Sequence, residues 1–282
     1  MLQLHIHEPQ YNPYNTDEYI LRLTIGQDGA AYIVTDEADN ILVWEAHPWE
    51  TRVALSQLHK RLQSLVRQNT VLQSNFAKTI VAITSPQTVL MPSAWFEPWD
   101  TRLYLSSNLG IDSTDQVAKH ETYSAFANEL IYALPQPLLF AISTCFPQVK
   151  LQHAHSAILE ATRQVALRKQ HLCVYTYTRL GSLTICVADG EQLLLLNKYS
   201  YQTTKDFLYF VLLVYQQLNL NTKHTPLILA GELMPDSEIF KALHIYIRHI
   251  DWAERPANYT VGSLALPQVP PHFFNDLLFV CM

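Results

Sequence analysis

The feature that most constrains this chain is a supersecondary order that occurs twice. Residues 19–25 (YILRLTI), 31–35 (AYIVT) and 41–46 (ILVWEA) read as three short strands rich in β-branched and aromatic side chains. The turn segments Gln27-Asp28-Gly29 and 36–40 (DEADN) separate them. A helix is predicted over 48–68, with Pro48 at its first position and Leu55, Leu58, Leu62, Leu65 and Val66 on one stripe, followed by a buried strand over 79–84. The order then returns. Strands are predicted over 172–178, 183–188 and 192–199, with turns at Arg179-Leu180-Gly181 and Asp189-Gly190. A helix opens at Thr203, where Asp206 completes a capping box, and runs to Leu218. A buried strand over 226–230 closes the repeat. A whole element order recurring after about 150 residues outweighs any single assignment. It predicts an α/β protein of two similar lobes, each with a mixed β-sheet (three-stranded meander, helix, buried strand) packed by helices.

The expected division is a first lobe over 1–153 and a second over 154–282, the latter opening on a helix over 156–169. Pro92, Pro98, Pro135, Pro137 and Pro147 mark an inserted subdomain over 92–150. Within it, 125–133 reads equally as strand or helix, and 137–146 as a short helix; a short strand over 88–91 precedes it. Beyond the second repeat, a helix over 236–242 and strands over 244–249 and 259–265 are expected, with an apolar tail over 273–281 packing on the body.

Composition removes several classes of function. The net charge is −6, from 19 Lys+Arg against 25 Asp+Glu, and the basic residues are scattered. The densest group, Arg163, Arg168 and Lys169, sits at a predicted helix end, where positive charge complements the macrodipole; nucleic acid is not the expected partner. The longest strongly apolar run, 207–215, is less than half of the roughly 20 residues a membrane span needs. No basic stretch followed by an apolar one begins the chain, and Cys145, Cys173, Cys186 and Cys281 form no CxxC pair, which together predict a cytoplasmic protein. Glycine is scarce: the chain has seven where average usage of about 7% predicts about twenty. Neither GxGxxG nor GxxxxGK[ST] occurs, so the backbone cradles that bind phosphates are absent as motifs.

The duplicated order resembles the actin-like ATPase superfamily, with its ribonuclease-H-like lobes, and within it an uncharacterised bacterial family of unknown function. The resemblance implies a nucleotide cleft whose Mg²⁺ is held by an acid near the end of each lobe's first strand, in a stretch like I-D-x-G. Here Leu23-Thr24-Ile25-Gly26 puts Thr24 in the acid's place, and Val174-Tyr175-Thr176-Tyr177 puts Tyr175 in the other. The strand that ends in paired glycines in that superfamily is similar to 227–232 (LILAGE), with Gly231 kept and Glu232 in place of the second glycine. A hydroxyl does not neutralise Mg²⁺-phosphate as a carboxylate does, and a phenol fills space that phosphates need. Asp28 and Asp189 are the nearest acids, and both read as turn residues.

Other constellations are weaker. His5-x-His7 and His153-x-His155 each place two imidazoles on one face of an extended segment, with no third ligand evident, so no metal or other cofactor is predicted. Cys145 lies in an apolar stretch that would raise its pKa. Trp95, Phe96 and Trp99 are the candidates for an interaction surface. The expected function is that of a non-catalytic actin-like protein binding an unknown protein partner or serving as a scaffold. The alternative is a nucleotide- or small-molecule-binding enzyme or sensor with displaced ligands.

Overall fold

A computed structural model describes residues 2–110, 115–169, 172–179 and 181–280. Leu180 of the second predicted turn and Cys281 of the tail lie outside the described residues. In chain order the first half holds β1 (Leu4–His7), β2 (Ile20–Gly26), β3 (Gly29–Thr35), β4 (Asn40–Pro48), α1 (Leu58–Gln68), β5 (Lys78–Ile83) and β6 (Thr88–Pro92). It continues through α2 (Thr101–Leu109), β7 (Gln116–Tyr123), β8 (Asn128–Pro135), α3 (Gln136–Cys145), β9 (Lys150–His153) and α4 (Ala154–Lys169). The second half holds β10 (Cys173–Arg179), β11 (Ser182–Asp189), β12 (Gln192–Ser200), α5 (Thr204–Gln217), β13 (Leu227–Gly231), α6 (Glu238–Tyr246), β14 (Ile250–Trp252), β15 (Thr260–Val261) and α7 (Asn275–Leu278).

Two units result. One comprises the chain up to Ser156 together with Ala257–Gln268, and the other Ala157–Pro256 with Val269–Val280. The break thus falls after Ser156 rather than at 153, and residues 257–268 lie with the first unit, where β15 pairs in parallel with the start of β4 (Thr260↔Asn40, Val261↔Ile41).

In the first unit the sheet runs β1-β4-β3-β2-β5-β9. β2 and β3 are buried along almost their whole length, on both faces, which is why they read as continuous apolar runs rather than alternating ones. β2 and β3 pair antiparallel and β2 and β5 pair parallel. A separate three-stranded sheet, β6-β8-β7, forms within this unit. Its small core joins Leu105 of α2 to Ile131 and Ala133 of β8.

In the second unit the sheet runs β12-β11-β10-β13-β14. With β1, β15 and the separate β6-β8-β7 sheet set aside and the remaining strands numbered from the start of each meander, both sheets have the order third, second, first, fourth, fifth. One face of the second sheet carries Val174, Leu183, Ile185, Leu227 and Leu229 against Phe207, Val211 and Val214 of α5 and Leu243 of α6. α5 begins as expected, with Thr203 Oγ1 accepting from Asp206 N and the Asp206 carboxylate accepting from Thr203 N.

Several elements depart from their sequence assignments. Pro48 ends β4 instead of starting a helix, and α1 begins ten residues later at Leu58. The ambiguous stretch over 125–133 resolves mainly as strand β8. Residues 244–246 of the strand expected over 244–249 finish α6, which Ser237 caps by accepting from Phe240 N; the strand is Ile250–Trp252. Only Thr260–Val261 of the strand expected over 259–265 pairs.

Candidate functional site

The hairpin turns fix which residues of the two repeats correspond. β2 closes on β3 at Gly26↔Gly29, and β10 closes on β11 at Arg179↔Ser182. The parallel ladders agree: Ile25 lies opposite Ile83, and Thr178 opposite Gly231. Beyond those pairs, Thr84 N donates to Ile25 O (2.9 Å) and Glu232 N to Thr178 O (2.8 Å). Thr24 therefore corresponds to Tyr177, not to Tyr175, which occupies the place of Arg22. The expected equivalence of Thr24 and Tyr175 is off by one pleat repeat, because adjacent same-face positions in a strand are indistinguishable without the ladder.

In the first unit Thr24 is buried, its hydroxyl directed at the Ala31 carbonyl at 3.5 Å. Gly26 faces Thr84 and the Asp28 carboxylate so closely that a Cβ there would lie 2.9 Å from Asp28 Oδ1. Asp28 is a turn residue, its carbonyl accepting from Trp49 N (3.0 Å).

In the second unit the face of β10 that bears Tyr175, Tyr177 and Arg179 is turned away from α5 and α6. The chain's own C-terminal segment covers it. The Tyr177 hydroxyl donates to Asp276 Oδ1, and Arg179 Nη1 donates to Asp276 Oδ2 at 2.9 Å, all three side chains being buried. Burial, then the Asp276 charge, pushes the Tyr177 phenol well above its ordinary pKa. The Asn275 amide meets Tyr175 Oη at 2.9 Å. With its oxygen accepting from that phenol, its nitrogen donates to the Phe273 and His272 carbonyls at 3.2 and 3.1 Å. Gly231 has φ +86°, donates its N–H to His272 O (2.7 Å), and would bring a Cβ to 2.1 Å from Thr178 O. Only glycine fits there. Glu232, half-buried, follows it. The His272 ring nitrogen Nε2 lies 2.9 Å from Leu233 O, and the ring packs on Trp252 at 4.3 Å.

No local pattern points to Asp276 at this place. It lies about a hundred residues from β10, and only the packing of the tail brings it there. Chemically, the cluster is a neutralised carboxylate–guanidinium pair with a phenol bound to it, a structural arrangement.

The three aromatics part company. Trp95 and Trp99 are 73% and 77% exposed. Phe96 instead is half-buried, packing on Tyr104 and on the His120 ring at 4.7 Å, against the core of the small sheet. Cys145 is partly buried, and burial raises its pKa as expected; burial likewise pushes the Cys173 and Cys186 thiols up to about 12. The basic group is paired: Arg163 with Glu160 (2.7 Å), Arg168 with Glu254, and Lys169 with Asp251 (2.5 Å). The last two pairs border a cavity of about 420 Å³ next to Ile228 and Trp252, toward the opposite end of β13 from Gly231.

The histidines require a correction. His153 ends β9 while His155 lies on α4, so that pair does not share a strand face. His153 is buried, its Nε2 3.1 Å from Ser85 N. His5 and His7 do share a face of β1, and the antiparallel register with β4 (His5↔Glu45) supplies the third group that the sequence did not reveal. Glu45 Oε1 lies 2.9 Å from His5 Nδ1 and 2.6 Å from His7 Nε2.

Comparison with known proteins places this architecture. A Bacteroides thetaiotaomicron protein with actin-like ATPase fold and unknown function superposes with a TM-score of 0.82 at 16% identity, covering 97% of this chain and 100% of that one. A chain of the PilM-PilN type IV pilus biogenesis complex superposes with a TM-score of 0.59 at 12% identity, over 93% of this chain and 97% of that one. No curated protein matches. The family model described as protein of unknown function (DUF3822) matches residues 8–250, and the chain, with its actin-like ATPase fold, belongs to that family.

Proposed function

We propose that this chain is a non-catalytic actin-like protein that binds a protein partner or serves as a scaffold. The observation that carries the reading is the occupancy of the β10 face by the C-terminal segment. Asp276, the acid lying against Tyr177, has one oxygen on that phenol and the other on Arg179. β2 and β10 contain no Asp or Glu, so neither strand offers a carboxylate to Mg²⁺. Support for a binding role comes from Trp95 and Trp99, large side chains left in solvent on the first unit, and from the occurrence of a similar fold in the PilM-PilN assembly.

Calorimetry and thermal unfolding of the full chain with Mg-ATP test the catalytic half of the reading. The expected result is no heat of binding and no stabilisation. A magnesium-dependent gain approaching about 2.7 kcal/mol, the value for a ligand at a hundred times its Kd, would instead identify a working nucleotide site. The binding half is tested by recovering the tagged chain from its host beside a Trp95→Ser/Trp99→Ser variant. A partner held by the parent and lost by the variant is the outcome expected.

A further inference from the structure

At the outer edge of the first unit's sheet, one buried carboxylate is ringed by imidazoles. Glu45, 1% exposed at its side chain, has His5 Nδ1 and His7 Nε2 on Oε1, and His47 Nε2 (2.8 Å) and Asn69 Nδ2 (2.8 Å) on Oε2. Strand geometry makes the grouping. His5 and His7 share a face of β1, Glu45 and His47 share a face of β4, and the register sets His5 opposite Glu45. Among the described residues no Lys or Arg pairs with Glu45; the only cationic partners available to this buried anion are imidazoles, which carry charge only when protonated. A buried carboxylate without a permanent counter-charge is costly, and a divalent cation resolves that cost as completely as any side chain can.

We propose that His5 Nδ1, His7 Nε2 and the Glu45 carboxylate form a site for a divalent transition-metal ion of the zinc class, with solvent in the remaining coordination position. The donor set is two neutral imidazoles and one carboxylate, which suits a borderline ion and disfavours Mg²⁺ or Ca²⁺. The three donor atoms already lie within 4.8 Å of one another. Ligands about 2.0–2.1 Å from a tetrahedral ion stand about 3.3 Å apart, so the present 2.6 and 2.9 Å contacts must open by about 0.7 and about 0.4 Å. His5, 73% exposed on an edge strand, can make that movement and leaves the ion accessible to solvent.

The supporting shell is in place. Asn69 Nδ2 holds Glu45 Oε2 from the end of α1 and also donates to Tyr32 Oη (2.9 Å), which fixes the carboxylate plane from the side away from His5 and His7. β1 itself is pinned one residue beyond His7. Glu8 N donates to Leu42 O (2.8 Å), and the Glu8 carboxylate accepts from Leu264 N and Ala265 N at 3.1 Å each. The two imidazoles are therefore presented from a strand fixed at one end. His47 lies on the other carboxylate oxygen and orients it.

The experiment uses the full chain made without a histidine tag and stripped by chelator. Zn²⁺ is titrated by calorimetry, and Co²⁺ by visible absorption. One equivalent of Zn²⁺ should bind, and Co²⁺ should give the intense visible bands of a four-coordinate ion. His5→Ala, a substitution at an exposed position that leaves the fold intact, should weaken Zn²⁺ binding by about tenfold or more, and His7→Ala by a similar factor. His224→Ala, an exposed histidine elsewhere, should leave it unchanged. The proposal is overturned if the parent chain takes up no stoichiometric Zn²⁺. It is equally overturned if folded His5→Ala and His7→Ala variants bind as tightly as the parent.

Discussion

In the first unit the third strand of the meander, β4, is buried along most of its length, because β1 and β15 both add to its outer edge. In the second unit its counterpart, β12, pairs only with β11 among the described residues and has no buried position, each residue being half-buried or exposed. Both units place a bulge between the second and third strands, at Val34/Thr35 and at Val187/Ala188. The strand ends differ in the opposite sense. Those of the first unit carry the small residues Thr24, Gly26 and Thr84, whereas those of the second carry Tyr177 and Arg179 locked onto the tail. The shared strand order is thus held by the buried central strands, while edges and strand ends are where one repeat can change without the other.

The widest expected difference between the units is at the tail. Asp276→Ala removes the buried partner of Arg179 and should cost about 3–5 kcal/mol, read by urea unfolding. Thr24→Val, at the position matching Tyr177, gives up only a long hydroxyl contact and should cost no more than about 1 kcal/mol. Equal losses from the two would break the asymmetry. Next in size, Gly231→Ala forces a Cβ against Thr178 O in a left-handed conformation and should cost about 2–4 kcal/mol. Ile83→Val, at the matching residue of the first unit, should cost about 0.5–1.5 kcal/mol.

The two meander helices offer a finer contrast. α5 has a full capping box and α1 has no side-chain cap. Thr203→Ala should therefore destabilise by about 1 kcal/mol, while Gln57→Ala changes stability by less than about 0.5 kcal/mol.

The smallest effect is one of pH. Burial holds the His272 pKa below its ordinary value, so the unfolded chain binds the proton more readily. The associated stability is present above the unfolded pKa and is lost as pH falls through the folded one. Between pH 7 and 5 the parent should lose more stability than His272→Gln. A steeper loss in the variant would reverse the sign and contradict the buried, neutral ring.

How much of this was legible in the sequence depends on the range of the interaction that decides each feature. The meanders, the Thr203–Asp206 cap and the Asp189-Gly190 hairpin are settled by neighbours in the chain, and all appear as read. Pro48 suits a helix start as well as a strand end, and only pairing with Gly29 decides between them. At 244–249 a strand is expected, but the Ser237 cap and the burial of Leu243 carry the helix through Tyr246. At the candidate site, Gly231 and Glu232 at the end of β13 were legible from the strand pattern, but the pairings around them were not. That Thr24 matches Tyr177, that Asp276 covers β10, and that Glu45 meets His5 and His7 all depend on ladders or packing between distant segments, which local patterns do not encode.

The buried Glu8 carboxylate has a further consequence, for how the protein is made. Its amide partners lie 256 and 257 residues downstream, and β15 reaches β4 across a comparable stretch. As the chain leaves the ribosome, the first unit's edge stays unfinished, and Glu8 lacks those partners, until nearly all of the second unit has been translated. Contacts of such long sequence separation form late and slowly. A fragment ending at Ser156 would be not a smaller stable domain but a sheet with an open flank, the species on which holdase chaperones would act during synthesis.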